Sequence, residues 1–307
     1  MRIAIVGAGG VGGYFGGRLA EAGADVVFLA RGPHLDALRT HGLRIVSPKG
    51  DAHITSVNAT DDATAVRGAD VVLFAVKLYD TEAAAQVLPQ LVESGSPETV
   101  VIPLQNGVEC IDVVSRAVGR DHTAGGTCYV SAVIAEPGVI RHTAMDHLIF
   151  GEIDRIRSPR LTSLFDACRL ASFQSTLSDD IQVDIWTKFV RLSVFSGMTA
   201  VTRSPIGVTV KDPDLFTMLQ RAVAEAMAVA QARGVKVPSS TVDDVAKAYR
   251  ALPPHAKASM LEDLERGRRL ELPWLSGAVV RIGQEVGVPT PIHGFINAVL
   301  KPHVNGS

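Results

Sequence analysis

The sequence predicts an α/β protein, with a doubly wound parallel sheet in the first half and an all-α domain in the second. Three observations carry that reading. Short β-branched runs alternate with helix-length segments up to about Ser178, a glycine-rich turn directly follows the first run, and strand signals stop after Asp179-Asp180. At 307 residues the chain suits two domains of roughly 150 residues each, placed here at 1–178 and 179–307.

The runs at 3–6, 26–29, 71–76 and 100–104 are apolar at every position, as expected of parallel strands covered on both faces. Pro48-Lys49-Gly50 within 43–57 predicts a local hairpin, and Glu136-Pro137-Gly138 within 127–149 predicts another near the edge of the sheet. Asp179 and Asp180 are candidate N-caps for the first helix of the second half. Asp212-Pro213 opens a run rich in Ala, Leu and Met that ends at Gly234, and Ser239 or Ser240 caps the next helix. Pro253-Pro254, Pro273 and Pro289-Thr290-Pro291 divide the remainder into three short helices.

Lys and Arg number 30 against 32 for Asp and Glu, a formal charge of −2, which argues against a nucleic-acid partner. Cys110, Cys128 and Cys168 match neither a disulfide framework nor a CxxC pair and are expected as buried thiols in a reducing cytoplasm. The first residues already read as a strand rather than a secretory signal, and no apolar stretch reaches the length of a membrane span. A cytoplasmic protein is therefore expected. The nine histidines form no HExxH arrangement, and His142 and His147, on opposite faces of a strand-like segment, are poor co-ligands, so no metal is expected. No G-x-S-x-G elbow is present.

Gly7-Ala8-Gly9-Gly10-Val11-Gly12 fits G-x-G-x-x-G between a strand and a helix, the context of a Rossmann-type dinucleotide site. Glycine is needed there for the tight turn, for close approach of the backbone to a pyrophosphate, and for helix-on-strand packing. The Gly12/Gly16 and Gly13/Gly17 spacings also resemble membrane helix pairing, against which Arg18 and Glu21 argue. After the second strand the chain offers Ala30-Arg31-Gly32 where an NAD-selective domain offers a carboxylate. Arg31 is thus either a partner for a 2′-phosphate, favouring NADP(H), or a solvated surface residue.

Lys77 and Gln105-Asn106-Gly107 close two of the strand runs at their carboxyl ends, where open α/β sheets bind ligands. Lys77 also reads as a solubilising charge and Asn106-Gly107 as an ordinary turn. In the helical half Ile181, Ile185, Lys188, Leu192 and Phe195 share one face. An ammonium held among apolar groups is poised to donate a proton near neutral pH. The other reading pairs Lys188 with Asp184 on an exposed helix surface. Glu271 precedes a helix start and is either a capping carboxylate or a functional one.

Taken in order, these segments resemble the ketopantoate reductase (2-dehydropantoate 2-reductase) family. The matching segments are 3–12, Arg31, Val76-Lys77, Gln105-Asn106-Gly107, Trp186-x-Lys188-Phe189, Ala258-Ser259-Met260-Leu261-x-Asp263, Glu271, Gly277 and Gly287-Val288-Pro289-Thr290-Pro291. The resemblance implies an NADPH-dependent reductase of 2-oxo acids with its active site in the cleft between a Rossmann domain and a helical domain. It also implies roles for single residues: Lys188 as proton donor to the ketone oxygen, Glu271 holding substrate and cofactor, and Ser259 binding the substrate carboxylate. Asn106 and Lys77 would line the nicotinamide and ribose end, and Ala132 would touch the cofactor through its backbone.

Leu192, Ser196, Ile206 and Ser276 stand where the family has asparagines, so the polar half of the substrate site is altered. Three readings follow. The first is reduction of 2-dehydropantoate to (R)-pantoate on the way to pantothenate and coenzyme A. The second is the same chemistry on a more apolar 2-oxo acid, and the third is an NADPH-sensing regulator without turnover. Apolar helical faces in the second half suggest a homodimer.

Overall fold

The computed structural model describes residues 1–306, which fall into two compact units. The first comprises Met1–Gln105 and Glu109–Asp184. It opens with β1 (Arg2–Val6), α1 (Gly10–Glu21), β2 (Asp25–Leu29) and α2 (Gly32–His41), followed by β3 (Leu43–Val46), β4 (Ala52–Ile54), β5 (Asn58–Thr60) and β6 (Val71–Phe74). It continues with α3 (Thr81–Ala85), α4 (Leu88–Glu93), β7 (Val100–Pro103), α5 (Cys110–Val118), β8 (Ala124–Glu136), β9 (Val139–Glu152), α6 (Pro159–Leu170) and β10 (Gln174–Leu177).

The predicted parallel sheet is present in the order β5-β2-β1-β6-β7. β1 is central because both its edges pair, Ile3 and Ile5 with Val26 and Phe28 on one side and with Val71 and Leu73 on the other. One face packs on Leu88, Leu91 and Val114 from α4 and α5. On the other, Ile3, Ile5 and Phe28 meet Phe15 and Leu19 of α1.

Both predicted hairpins form, but they do not extend the edge of this sheet. β3 pairs with β4 and, in parallel, with β9, so the two hairpins build a second sheet in the order β10-β9-β3-β4, with β8 antiparallel to β9. α1 lies against both sheets, which explains its glycines. A Cβ at Gly16 would sit 2.7 Å from Ile5 and Phe28 of the first sheet, and one at Gly17 would sit 2.7 Å from Ile45 of the second. The small-residue stripes that resemble membrane pairing thus let one helix pack on two sheets at once. No helix of the described residues is long and apolar enough to cross a membrane.

The second unit holds Asn106–Val108 and the chain from Ile185 onward. Among the described residues its regular elements are helices, with no strand. Its elements are α7 (Ile181–Thr202), whose first turn belongs to the first unit, α8 (Ile206–Lys211), α9 (Pro213–Ala232), α10 (Thr241–Ala251), α11 (Ser259–Glu265), α12 (Ser276–Val286) and α13 (Pro291–Leu300). The divide between these two units falls inside α7, at Asp184/Ile185. Asp212 caps α9 as the sequence indicates, its Oδ1 accepting from the Asp214 and Leu215 amides. Ser240 precedes α10, but its hydroxyl bonds Asp244 instead of a backbone N–H. Leu219, Val223, Ala226 and Val229 of α9 form the centre of the core, against Val190 and Val194 of α7 and Val279 and Ile282 of α12. All three cysteines are buried and unbridged, and burial pushes the Cys168 thiol up to about 12.

Candidate functional site

In the first unit β1 delivers the chain to Gly7, whose φ of +96° favours glycine. A Cβ at Gly10 would lie 2.0 Å from the Ala132 carbonyl oxygen on β8, and one at Gly12 would lie 2.2 Å from the Gly7 carbonyl. Gly9 precedes α1 with no side-chain cap, so the first amides of the helix and its dipole are presented to an anion. Beside the turn is a cavity of about 560 Å³ whose lining includes Gly7, Ala8, Gly9 and Arg31. Open space at Gly9, where a Cβ would meet nothing within 4 Å, next to an exposed arginine, fits the pyrophosphate and 2′-phosphate of a dinucleotide.

Other expected members of this site are placed differently. Val11 is half-buried against the core and Gly12 is packed on Ile5, so both shape the turn rather than line the cavity. Lys77 is exposed before a 3-10 turn at Leu78–Asp80 and does not line the cavity. Ala132 is half-buried on β8, against Gly10.

Among the cavity residues that escaped the sequence reading are His34, Asp61 and Asp62. The two carboxylates arrive because β5 pairs in parallel with β2, Leu29 opposite Thr60, which puts the residues after both strands side by side. A three-residue strand carries too short a pattern to be found in sequence. Asp61 pairs with Arg39 at 3.2 Å, and Thr64 holds the Asp62 carboxyl below its usual range through its hydroxyl and amide.

The second unit gathers Asn106, Lys188 and Glu271. Lys188 Nζ donates to Asn106 Oδ1 at 3.0 Å, and Asn106 Nδ2 donates to Glu271 Oε2 at 3.4 Å. Lys188 is 9% exposed and Glu271 7%, so the exposed-surface reading of the lysine does not hold. Its ammonium meets an amide, that of Asn106. Asp184 accepts instead from Ser178 Oγ. Glu271 sits at the start of a 3-10 turn at Leu272–Trp274, a turn ahead of α12. Asn106 thus bridges a buried cation and a buried anion, each satisfied by one end of its amide. Such an ammonium can hydrogen-bond a carbonyl oxygen and give it a proton.

Ser259, the first residue of α11, is exposed, and no bond links it to this cluster. Leu192 is half-buried one turn after Lys188. Ser196 is buried, with its hydroxyl unpartnered. Ile206 is core. Ser276 is buried beside His293, whose Nε2 donates to the Ala222 carbonyl and whose Nδ1 accepts from the Ser276 hydroxyl at 3.2 Å. Among the described residues no group of three or more His, Cys, Asp or Glu could hold a metal.

The glycine cradle with Arg31, and a buried ammonium bridged to a carboxylate, are the equipment of a nicotinamide-dependent oxidoreductase acting on CH–OH groups. The sequence profile described as ketopantoate reductase PanE/ApbA matches residues 3–155, and its C-terminal counterpart matches 180–304. A 2-dehydropantoate 2-reductase of Mesorhizobium japonicum is 33% identical over 98% of this chain and 96% of its own. A crystal structure of a PanE/ApbA family ketopantoate reductase from Ralstonia eutropha superposes with a TM-score of 0.89 at 31% identity, covering 99% of this chain and 98% of that one. D-mandelate dehydrogenase in a ternary complex with NADH and anilino(oxo)acetate shares the fold, with a TM-score of 0.88 at 20% identity over 99% and 98% of the two chains. The chain belongs to the ketopantoate reductase family. It is an NADP-dependent enzyme that reduces a small 2-oxo acid.

Proposed function

We propose that the protein reduces 2-dehydropantoate to (R)-pantoate, with Lys188 as proton donor. The observation that carries the reading is the buried Lys188–Asn106–Glu271 chain of hydrogen bonds. When bound, NADPH supplies the hydride that adds to the carbonyl carbon. Lys188 hydrogen-bonds the ketone oxygen, stabilises negative charge growing there and gives up a proton to the alkoxide, help typically worth about 10² to 10⁴ in rate. Asn106 aims the ammonium, and Glu271 fixes the Asn106 amide by accepting from its NH₂ group. The turn from Gly7 to Gly12, with Ala132 behind it, cradles the pyrophosphate, and Arg31 takes the 2′-phosphate. The family resemblance assigns Lys77 to the ribose end of the cofactor and Ser259 to the substrate carboxylate.

A second reading, reduction of a more apolar 2-oxo acid, draws support from Leu192, which puts a methyl-bearing side chain one helical turn after Lys188. A steady-state comparison of NADPH oxidation decides between the two. 2-Dehydropantoate is set against 3,3-dimethyl-2-oxobutanoate, which lacks only the hydroxyl, and against an aryl 2-oxo acid. A kcat/KM at least tenfold higher for 2-dehydropantoate supports the first reading. Preference for either apolar acid replaces it with the second.

A further inference from the structure

His34 stands in the first turn of α2 and lines the cofactor cavity beside Arg31. Its Nδ1 accepts a hydrogen bond from the Gly138 amide at 3.1 Å. An imidazole nitrogen that accepts carries no proton, so the proton of the neutral ring is on Nε2. Nε2 is buried and closes no hydrogen bond, and His34 and Ala8 of the glycine turn line the same cavity. Burial pushes the His34 pKa down, in keeping with a neutral ring.

We infer that His34 is a positioning residue for the cofactor turn, holding the Ala8 carbonyl through Nε2–H while Nδ1 is anchored by Gly138. In a planar trans peptide the carbonyl of residue i and the N–H of residue i+1 point in opposite directions. A donor that holds the Ala8 oxygen on one side therefore turns the Gly9 N–H to the other, at the open N-terminus of α1 where a pyrophosphate is expected. Gly138 is the turn of the β8–β9 hairpin, the same hairpin whose Ala132 carbonyl closes on Gly10. The hairpin thus grips the glycine turn twice, once by contact at Gly10 and once through the imidazole.

The test separates the two ends of the ring. Asn places an acceptor near Nδ1 and nothing near Nε2, Gln reaches the Nε2 position with a donor, and Phe keeps the shape with neither. NADPH affinity is measured by titration of cofactor fluorescence. His34→Asn and His34→Phe should raise the Kd about tenfold, the loss of one hydrogen bond's worth of ordering, and His34→Gln should stay within about threefold of the parent. In turnover the loss should fall mainly on the KM for NADPH rather than on kcat. An unchanged Kd in His34→Phe, or a His34→Gln protein as weak as His34→Asn, overturns the inference. Nitrogen-15 NMR of the parent protein without cofactor gives an independent reading. A ring protonated on Nε2 supports the assignment, and one protonated on Nδ1 overturns it whatever the variants do.

Discussion

Asn106 Oδ1 accepts from Lys188 Nζ at 3.0 Å although the two residues stand 82 positions apart in the chain. Asn106 follows β7, a strand of the first unit, yet it packs with the helical unit. Its amide joins the lysine and glutamate cluster of that unit. That single side chain satisfies two buried charges of opposite sign.

Removing it should expose its worth. Asn106→Ala is expected to lower kcat/KM for the 2-oxo acid by about 10- to 100-fold, the range of a lost hydrogen bond to a charged group. Asn106→Asp puts a carboxylate against Glu271 and should cost as much, with a displaced pH–rate profile. Steady-state kinetics across pH checks both. Parent-like rates in both variants would remove Asn106 from the site.

The choice of cofactor rests on Arg31. Arg31→Ala should raise the KM for NADPH about 10- to 100-fold and leave that for NADH nearly unchanged, since only the former carries a 2′-phosphate to pair with the guanidinium. Equal losses with both cofactors would contradict the contact.

The glycine turn makes a prediction in stability. A Cβ at Gly10 meets the Ala132 carbonyl at 2.0 Å, whereas one at Gly9 meets nothing within 4 Å. Gly10→Ala should destabilise the fold by about 1–3 kcal/mol, as overpacking does, while Gly9→Ala leaves the thermal midpoint nearly unchanged. Calorimetry of the two variants checks the contrast.

Acid sensitivity is expected from His293. Its burial under α9 and α12 pushes the ring down to about 4 from 6.5. Between these values the unfolded chain binds the proton and the folded one does not, so stability falls as pH drops from about 6.5 towards 4. The loss approaches about 3 kcal/mol at the low end, and this group adds no pH dependence above about 7.5. Chemical denaturation at several pH values should show this slope, and His293→Gln should flatten it. A slope unchanged by the substitution would assign the effect to other groups.

Local signals in the chain were enough to place the parallel sheet, both hairpins and the proline-punctuated helices, because each rests on a turn residue or a periodicity within a few positions. The second sheet was not legible. Its defining pairing, Ile45 opposite Ile140, joins segments far apart in sequence. The site divides the same way. Gly7 to Gly12 declare themselves by spacing, and Lys188 by its position on an apolar helix face. Nothing local says that Asn106 and Glu271, 165 positions apart, hydrogen-bond each other, or that Asp61 and Asp62 share the Arg31 cavity. Leu192, Ser196 and Ile206 depart from the family pattern in sequence, and the structure gives each a different reason: a packing surface, an unpartnered buried hydroxyl and a core side chain.

The most direct test of Lys188 as proton donor is the Lys188→Ala protein, saturated with NADPH and given 2-dehydropantoate. The expected result is an unchanged Kd for NADPH with a fall in kcat of about 10² to 10⁴, the range of a lost general acid. A variant that binds NADPH and turns over at the parent rate would contradict the assignment.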